Sequence, residues 1–178
     1  DVSSLISLTD NPVVLIETTM GEIKVEVYPD KAPITAGNFL RYVDAGLYDG
    51  TTFFRTVTMQ NQPDNDVRIE VIQGGQVDKE KEFEPIALER TTLTGLSHTD
   101  GVISMSRFKP DSAKSSFFFC IGDQLELDYS GKRYADGQGF AAFGKVTEGM
   151  DVVRAIQVQP HEGQRLTPPI MITRVKRL

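Results

Sequence analysis

At 178 residues, 39% hydrophobic and 25% charged, the chain suits one globular domain with a sizeable core. A net charge of −6 with both signs interspersed excludes the basic stripe that nucleic acid or an anionic membrane surface requires. No apolar run reaches the ~18 residues of a helical membrane span, and the lone Cys120 excludes an intrachain disulfide.

Residues 1–12 are weakly patterned and read as an N-terminal arm; residues 13–178 show no repeat or linker and read as one domain. The chain starts "DVSSLISL", without Met. A removed leader would give such a start, so a periplasmic or secreted setting is expected, with the cytoplasm as alternative. "VVLIE" (13–17) reads as a strand, "TTMGE" as a turn, and "EIKVEVY" (22–28) as a strand alternating Ile23, Val25 and Val27 with polar residues. The period then changes. Ala36, Phe39, Leu40 and Val43 form one helical stripe, with Pro33 suited to the first turn and Gly46 to the stop. Further strands are expected over 52–57, 67–73, 101–107, 116–121, 140–146 and 170–176. A second helix is expected over 148–157, with Met150, Val153 and Ile156 on its stripe. Helices do not alternate with these short strands, so a parallel sheet is excluded. A mainly β, mostly antiparallel barrel or sandwich with two helices outside follows.

His98 and His161 stand apart from Cys120 and from each other in metal-ligand spacing, and no G-x-S-x-G elbow occurs. The acidic stretch "GDQLELDYSGKRYADGQG" (122–139) lacks EF-hand spacing and reads as a solvated loop, its "GQG" as a turn. No metal or other cofactor is expected. Cys120, in "FFFCIG", reads as a buried structural thiol.

What remains unusual is a set of polar residues on strands that are otherwise core-like. "FFRTV" (53–57) carries Arg55. In "VRIEVIQGG" (67–75), alternation puts Ile69, Val71 and Gln73 on one face and Arg68, Glu70 and Ile72 on the other. In "SSFFFC" (115–120), Phe117 and Phe119 share a face while Phe118 points the other way, beside Ser116 and Cys120.

The segments "VVLIETTMGEIKVEVYPDKAPITAGNFLRYVDAGLYDGTTFFRTV", "VIQGG", "GVISMSRFKPDSAKSSFFFC" and "GFAAFGKVTEGMDVV" resemble, in order over about residues 13–176, the cyclophilin family of peptidyl-prolyl cis-trans isomerases. The resemblance implies a closed eight-stranded antiparallel β-barrel capped by two α-helices. It also implies catalysis of cis–trans rotation at X–Pro bonds in unfolded or flexible polypeptides, by a monomer without cofactor. By the same resemblance Arg55 stands at the catalytic Arg and Gln73 at the Gln before "GG". Phe118 matches the floor of a proline pocket, with Leu127 and Val71 at its wall. Ser106 and Arg107 match the stretch that binds the peptide backbone. Ser116 stands where Gln is frequent, and Phe140 where His or Tyr is common.

Several positions depart from the family pattern. Phe54 replaces a frequent His, and Glu70–Val71 replace Phe-Met, so a less apolar, shallower pocket rim is expected. An extra "TMQNQPDND" stretch (58–66) reads as a surface loop beside the active face. Glu126 replaces a Trp associated with tight cyclosporin binding, so weak binding of that drug is expected. The alternative these departures raise is a proline-peptide binding module with little catalysis. An interior-ligand carrier is the other alternative, weakened by strand faces that look filled.

Overall fold

The computed structural model describes residues 11–178; of the N-terminal arm expected over 1–12, residues 1–10 lie outside the described residues. Asn11 and Pro12 lie against the second strand, the Asn11 amide donating to Glu26 Oε1 at 3.1 Å and the Pro12 carbonyl accepting from Val27 N at 2.9 Å.

In chain order the described residues form β1 (Val13–Thr18), β2 (Gly21–Val27), helix α1 (Pro33–Asp44), β3 (Thr52–Val57), β4 (Val71–Gly74), a short α2 (Thr91–Thr94), β5 (Val102–Met105), β6 (Phe117–Cys120), β7 (Ala142–Glu148), α3 (Met150–Gln157), a two-residue β8 (His161–Glu162) and β9 (Arg165–Arg177). The antiparallel order β1-β2-β7-β5-β6-β4-β3-β9 closes through β9 onto β1. Eight strands therefore make a closed barrel with no free edge, as expected, and β8 is an added ribbon on β9.

The interior is filled rather than hollow. The Phe117 ring lies 5.6 Å from Phe39, 5.3 Å from Tyr48 and 5.9 Å from Phe119. The α1 stripe read from the sequence, Ala36, Phe39, Leu40 and Val43, is buried in this cluster, as are Val153 and Ile156 of α3. Past the end of α1, Gly46 takes φ +69°, the left-handed turn that stops the helix.

Three differences from the sequence reading have local causes. The fourth strand starts at Val71, not residue 67, because a loop side chain substitutes for a sheet partner. Gln62 donates to Ile69 O at 2.6 Å and accepts from Ile69 N at 3.2 Å. The last strand begins at Arg165 rather than 170: Pro168 and Pro169 punctuate the sequence, but Arg165 still pairs with Arg55, and Leu166 with His161. The stretch 122–139 is not simply a solvated loop. Leu127 is buried, and Arg133 donates to Gln62 Oε1 at 2.7 Å and to Val67 O at 2.8 Å. Its "GQG" is a turn, as read. A Cβ at Gly139 (φ +72°) would stand 2.6 Å from the Asp128 backbone.

Candidate active site

Plain alternation along β3 would put Arg55 on the same side as Phe53, which is fully buried inside the barrel. A β-bulge prevents this. Phe53 pairs with Gly74 and Arg55 with Gln73, so Phe54 is an extra residue and Arg55 is turned to the outer face. The register then continues across the sheet: Arg55 opposite Gln73, Gln73 opposite Phe118, Phe118 opposite Ser104. Directly paired residues share a face. One row of the barrel's outside thus carries a cation, an amide, an aromatic ring and a hydroxyl. The neighbouring row, Val57–Val71–Cys120, is apolar.

Above these rows Ile69, Leu127 and Phe140 close a second apolar cluster, separate from the barrel core, with Val57, Val71, Phe118 and Cys120. Phe118 meets Phe140 edge to face, with ring centres 5.5 Å apart. Cys120 is the buried thiol expected, and burial pushes its pKa well up, which makes it inert. A cleft of about 510 Å³ opens over this cluster. Eight of the nine site residues read from the sequence line it: Arg55, Val71, Gln73, Ser106, Arg107, Phe118, Leu127 and Phe140. The ninth, Ser116, lies just behind, its hydroxyl accepting from Gln73 Nε2 at 2.9 Å.

Arg55 is held rigidly. Nη1 donates to Gln73 Oε1 at 2.9 Å, while Nε and Nη2 donate to Gln164 Oε1 at 2.9 and 2.8 Å. Gln73 is fixed in turn by donating to Ser106 Oγ at 3.0 Å and to Ser116. Burial, and secondarily the charge of Arg133, lower the Arg55 pKa, yet a guanidinium remains protonated at neutral pH. Three of its five N–H donors are used, leaving one on each Nη for a ligand.

Arg107 occupies a different position. Its guanidinium is buried, donating to the Gly139 carbonyl and pairing with Asp136 at 2.9 Å, and it lies 4.8 Å from the Phe140 ring centre. It pins the 122–139 segment against the cleft. Asp136 is held below the usual carboxylate range by the hydrogen bonds from Arg107.

Phe54 and Glu70, read from the sequence as thinning the pocket rim, are not at the rim. Phe54 packs in a separate hollow with Leu166, Pro168 and Pro169, because the bulge swings it away from Arg55. Glu70 turns aside to accept from Gln157 Nε2 at 2.9 Å. Conversely, sequence reasoning missed Gln164, which reaches the site from just before β9, and Arg133 and Asn65, which line the cleft from the two long loops.

It also missed what supports Phe118. His98, fully buried, stacks on the Phe118 ring at 6.0 Å between centres and 11° between planes. Its Nδ1 lies 2.6 Å from Asp128 Oδ1 and its Nε2 lies 2.8 Å from Ser104 Oγ. Asp128 feels opposing effects. Burial raises its pKa, but hydrogen bonds from His98 and Ser97 prevail and hold it below the ordinary carboxylate value. A depressed folded-state pKa gives stability that is present above about pH 3.9 and is lost as pH falls through the lower folded value. Asp128→Asn is therefore expected to lower the urea midpoint at pH 7 while flattening its fall on acidification from pH 5 to 2. An equally steep acid limb in the variant would assign that limb to other carboxylates.

Comparison with known proteins agrees with this architecture. The model of the family described as "Cyclophilin type peptidyl-prolyl cis-trans isomerase/CLD" matches residues 13–177. A peptidyl-prolyl cis-trans isomerase of Acinetobacter baylyi is 36% identical over 153 residues, covering 84% of this chain and 74% of its own. Among solved structures, a cyclophilin type peptidyl-prolyl cis-trans isomerase of Cryptosporidium parvum superposes with a TM-score of 0.74 at 22% identity, over 94% of this chain and 98% of its own. That protein was also crystallised in the presence of the dipeptide Ala-Pro, and that structure superposes with a TM-score of 0.69 at 20% identity, over 92% of this chain and 97% of its own. Barrel, outer cleft and family match converge: the chain belongs to the cyclophilin-type peptidyl-prolyl cis-trans isomerases.

Proposed function

We propose that the cleft binds the proline of flexible or unfolded polypeptides and accelerates cis–trans rotation of the X–Pro bond, assisting folding. The barrier to such rotation is about 18–20 kcal/mol, because rotation breaks amide resonance, while the two X–Pro isomers differ by only ~0.5–1 kcal/mol. Neither isomer needs stabilising; the twisted, deconjugated amide does. In that state the prolyl nitrogen becomes pyramidal and gains a lone pair, which a fixed cationic donor can meet.

The observation that carries the reading is Arg55, tethered by Gln73 and Gln164 at 2.8–2.9 Å with two N–H donors to spare, beside an apolar hollow. In this reading Phe118, Val71, Leu127 and Phe140 hold the pyrrolidine ring. Gln73 orients Arg55, with Ser116 anchoring it, and Ser106 and the backbone at Arg107 hold the flanking peptide. The carbonyl side then rotates against an anchored proline, and no covalent intermediate is needed. The alternative of a mere binding module drew on Phe54, Glu70 and Val71; Phe54 and Glu70 point away from the cleft, and Val71 lines it as an apolar contact for the proline ring.

The test is a protease-coupled assay on an Ala-Pro peptide. Spontaneous exchange takes tens to hundreds of seconds at 25 °C. The protein is expected to shorten this in proportion to its concentration, and an unchanged exchange time would refute the proposal. The same reading has the chain acting as a monomer and binding cyclosporin weakly, with exposed Glu126 in the Trp position.

A further inference from the structure

In a chain of net charge −6, the cleft is lined by three arginines, Arg55, Arg107 and Arg133, and by no Asp or Glu. Arg107 is neutralised by Asp136. The other two form no ion pair with a carboxylate among the described residues. Arg55 bonds to the neutral amides of Gln73 and Gln164, and Arg133 to the neutral oxygens of Gln62 and Val67. Arg133 makes both of its bonds through Nη1. Its Nε–Nη2 edge meets no protein acceptor among the described residues, and that edge presents two parallel N–H bonds matched to the two oxygens of a carboxylate. Arg133 is half-buried, and its charge is felt at Arg55. Two like charges in a partly desolvated cleft repel each other, and an anion placed between or beside them relieves that repulsion.

We propose that Arg133 is a specificity-determining residue that favours substrates carrying an Asp or Glu next to the proline. The proposal rests on the isomerase reading. A carboxylate on the flanking residue reaches the free edge of Arg133 while the proline occupies the apolar hollow. A Lys in that place adds a third cation. The competing role for Arg133 is structural, since it ties the 122–139 segment to the 58–70 loop through Gln62 and Val67. Charge and tether separate cleanly: Arg133→Gln retains N–H donors for the tether without charge, and Arg133→Lys retains charge without the fork.

The experiment measures kcat/KM by NMR exchange on two peptide series, with Glu, Gln or Lys either immediately before or immediately after the proline. The wild type is expected to favour Glu over Lys about threefold to tenfold in one of the series, as a partly screened ion pair would. The ratio should shrink as salt is added. It should fall towards one in Arg133→Gln and largely persist in Arg133→Lys. Equal rates for Glu and Lys in the wild type, or a Glu preference surviving in Arg133→Gln, would overturn the proposal. Failure to accelerate any peptide would instead overturn the isomerase reading, and this proposal with it.

Discussion

Arg55→Ala is expected to lower kcat/KM about 10²–10³-fold, the size of effect seen when one donor aimed at developing charge is removed. The loss should fall mainly on kcat, because the lone pair that Arg55 meets exists only in the twisted amide. Stability should change little. Arg55 is only half-buried, it leaves no unpaired carboxylate behind, and Gln73 keeps its bonds to Ser106 and Ser116. Arg55→Lys should recover part of the loss, since it restores a cation but not the two-sided tether to Gln73 and Gln164. The measurement is steady-state kinetics in the protease-coupled assay beside circular dichroism of each variant. A loss below about tenfold in Arg55→Ala, with the fold intact, would move the catalytic role elsewhere, because a preorganised charged donor should supply at least that much.

Residues governed by simple alternation were legible in the sequence, and residues placed by an irregularity were not. Phe117 and Phe119 face the core while Phe118 faces out, and Val71 and Gln73 face out while Ile72 faces in, as period-two parity requires. The α1 stripe followed period 3.6 equally well. Arg55 is the opposite case. Parity alone sends it into the core with Phe53, and only a bulge at Phe54, invisible to periodicity, brings it out. The same bulge removes Phe54 from the rim to which the resemblance had assigned it. Long-range partners were also hidden. Nothing in "HEGQRL" marks Gln164 as the tether of a residue 109 positions earlier in the chain. Nothing in "LSHTD" marks His98 as the backing of Phe118. In 122–139 the charged residues suggested a solvated loop, whereas Leu127 and Arg133 turn inward to line the cleft and Asp136 pairs with the buried Arg107.

The adjacent rings Phe117 and Phe118 give the sharpest separation of fold from function, because exposure does not distinguish them: they are 0% and 6% exposed. Replacing either with Ala is expected to cost ~3–5 kcal/mol of stability, the range for removing a buried aromatic. For Phe117 the loss arises inside the barrel, where its ring meets Phe39, Tyr48 and Phe53 edge to face. For Phe118 it arises between His98 and Phe140, outside the barrel core. Only the second void opens into the cleft. Phe118→Ala should therefore also lower kcat/KM about tenfold to a hundredfold per folded molecule, from the ~1.5–3 kcal/mol of apolar contact a bound proline would lose. Phe117→Ala should leave kcat/KM per folded molecule near the wild-type value. Both variants are measured at a temperature where denaturant titration shows them folded, with Leu in place of Ala if total stability of ~5–15 kcal/mol proves too small a margin. Equal kinetic losses in the two variants would mean that the cleft responds to the barrel's packing as a whole, and Phe118 would lose its assignment as the surface on which the proline rests.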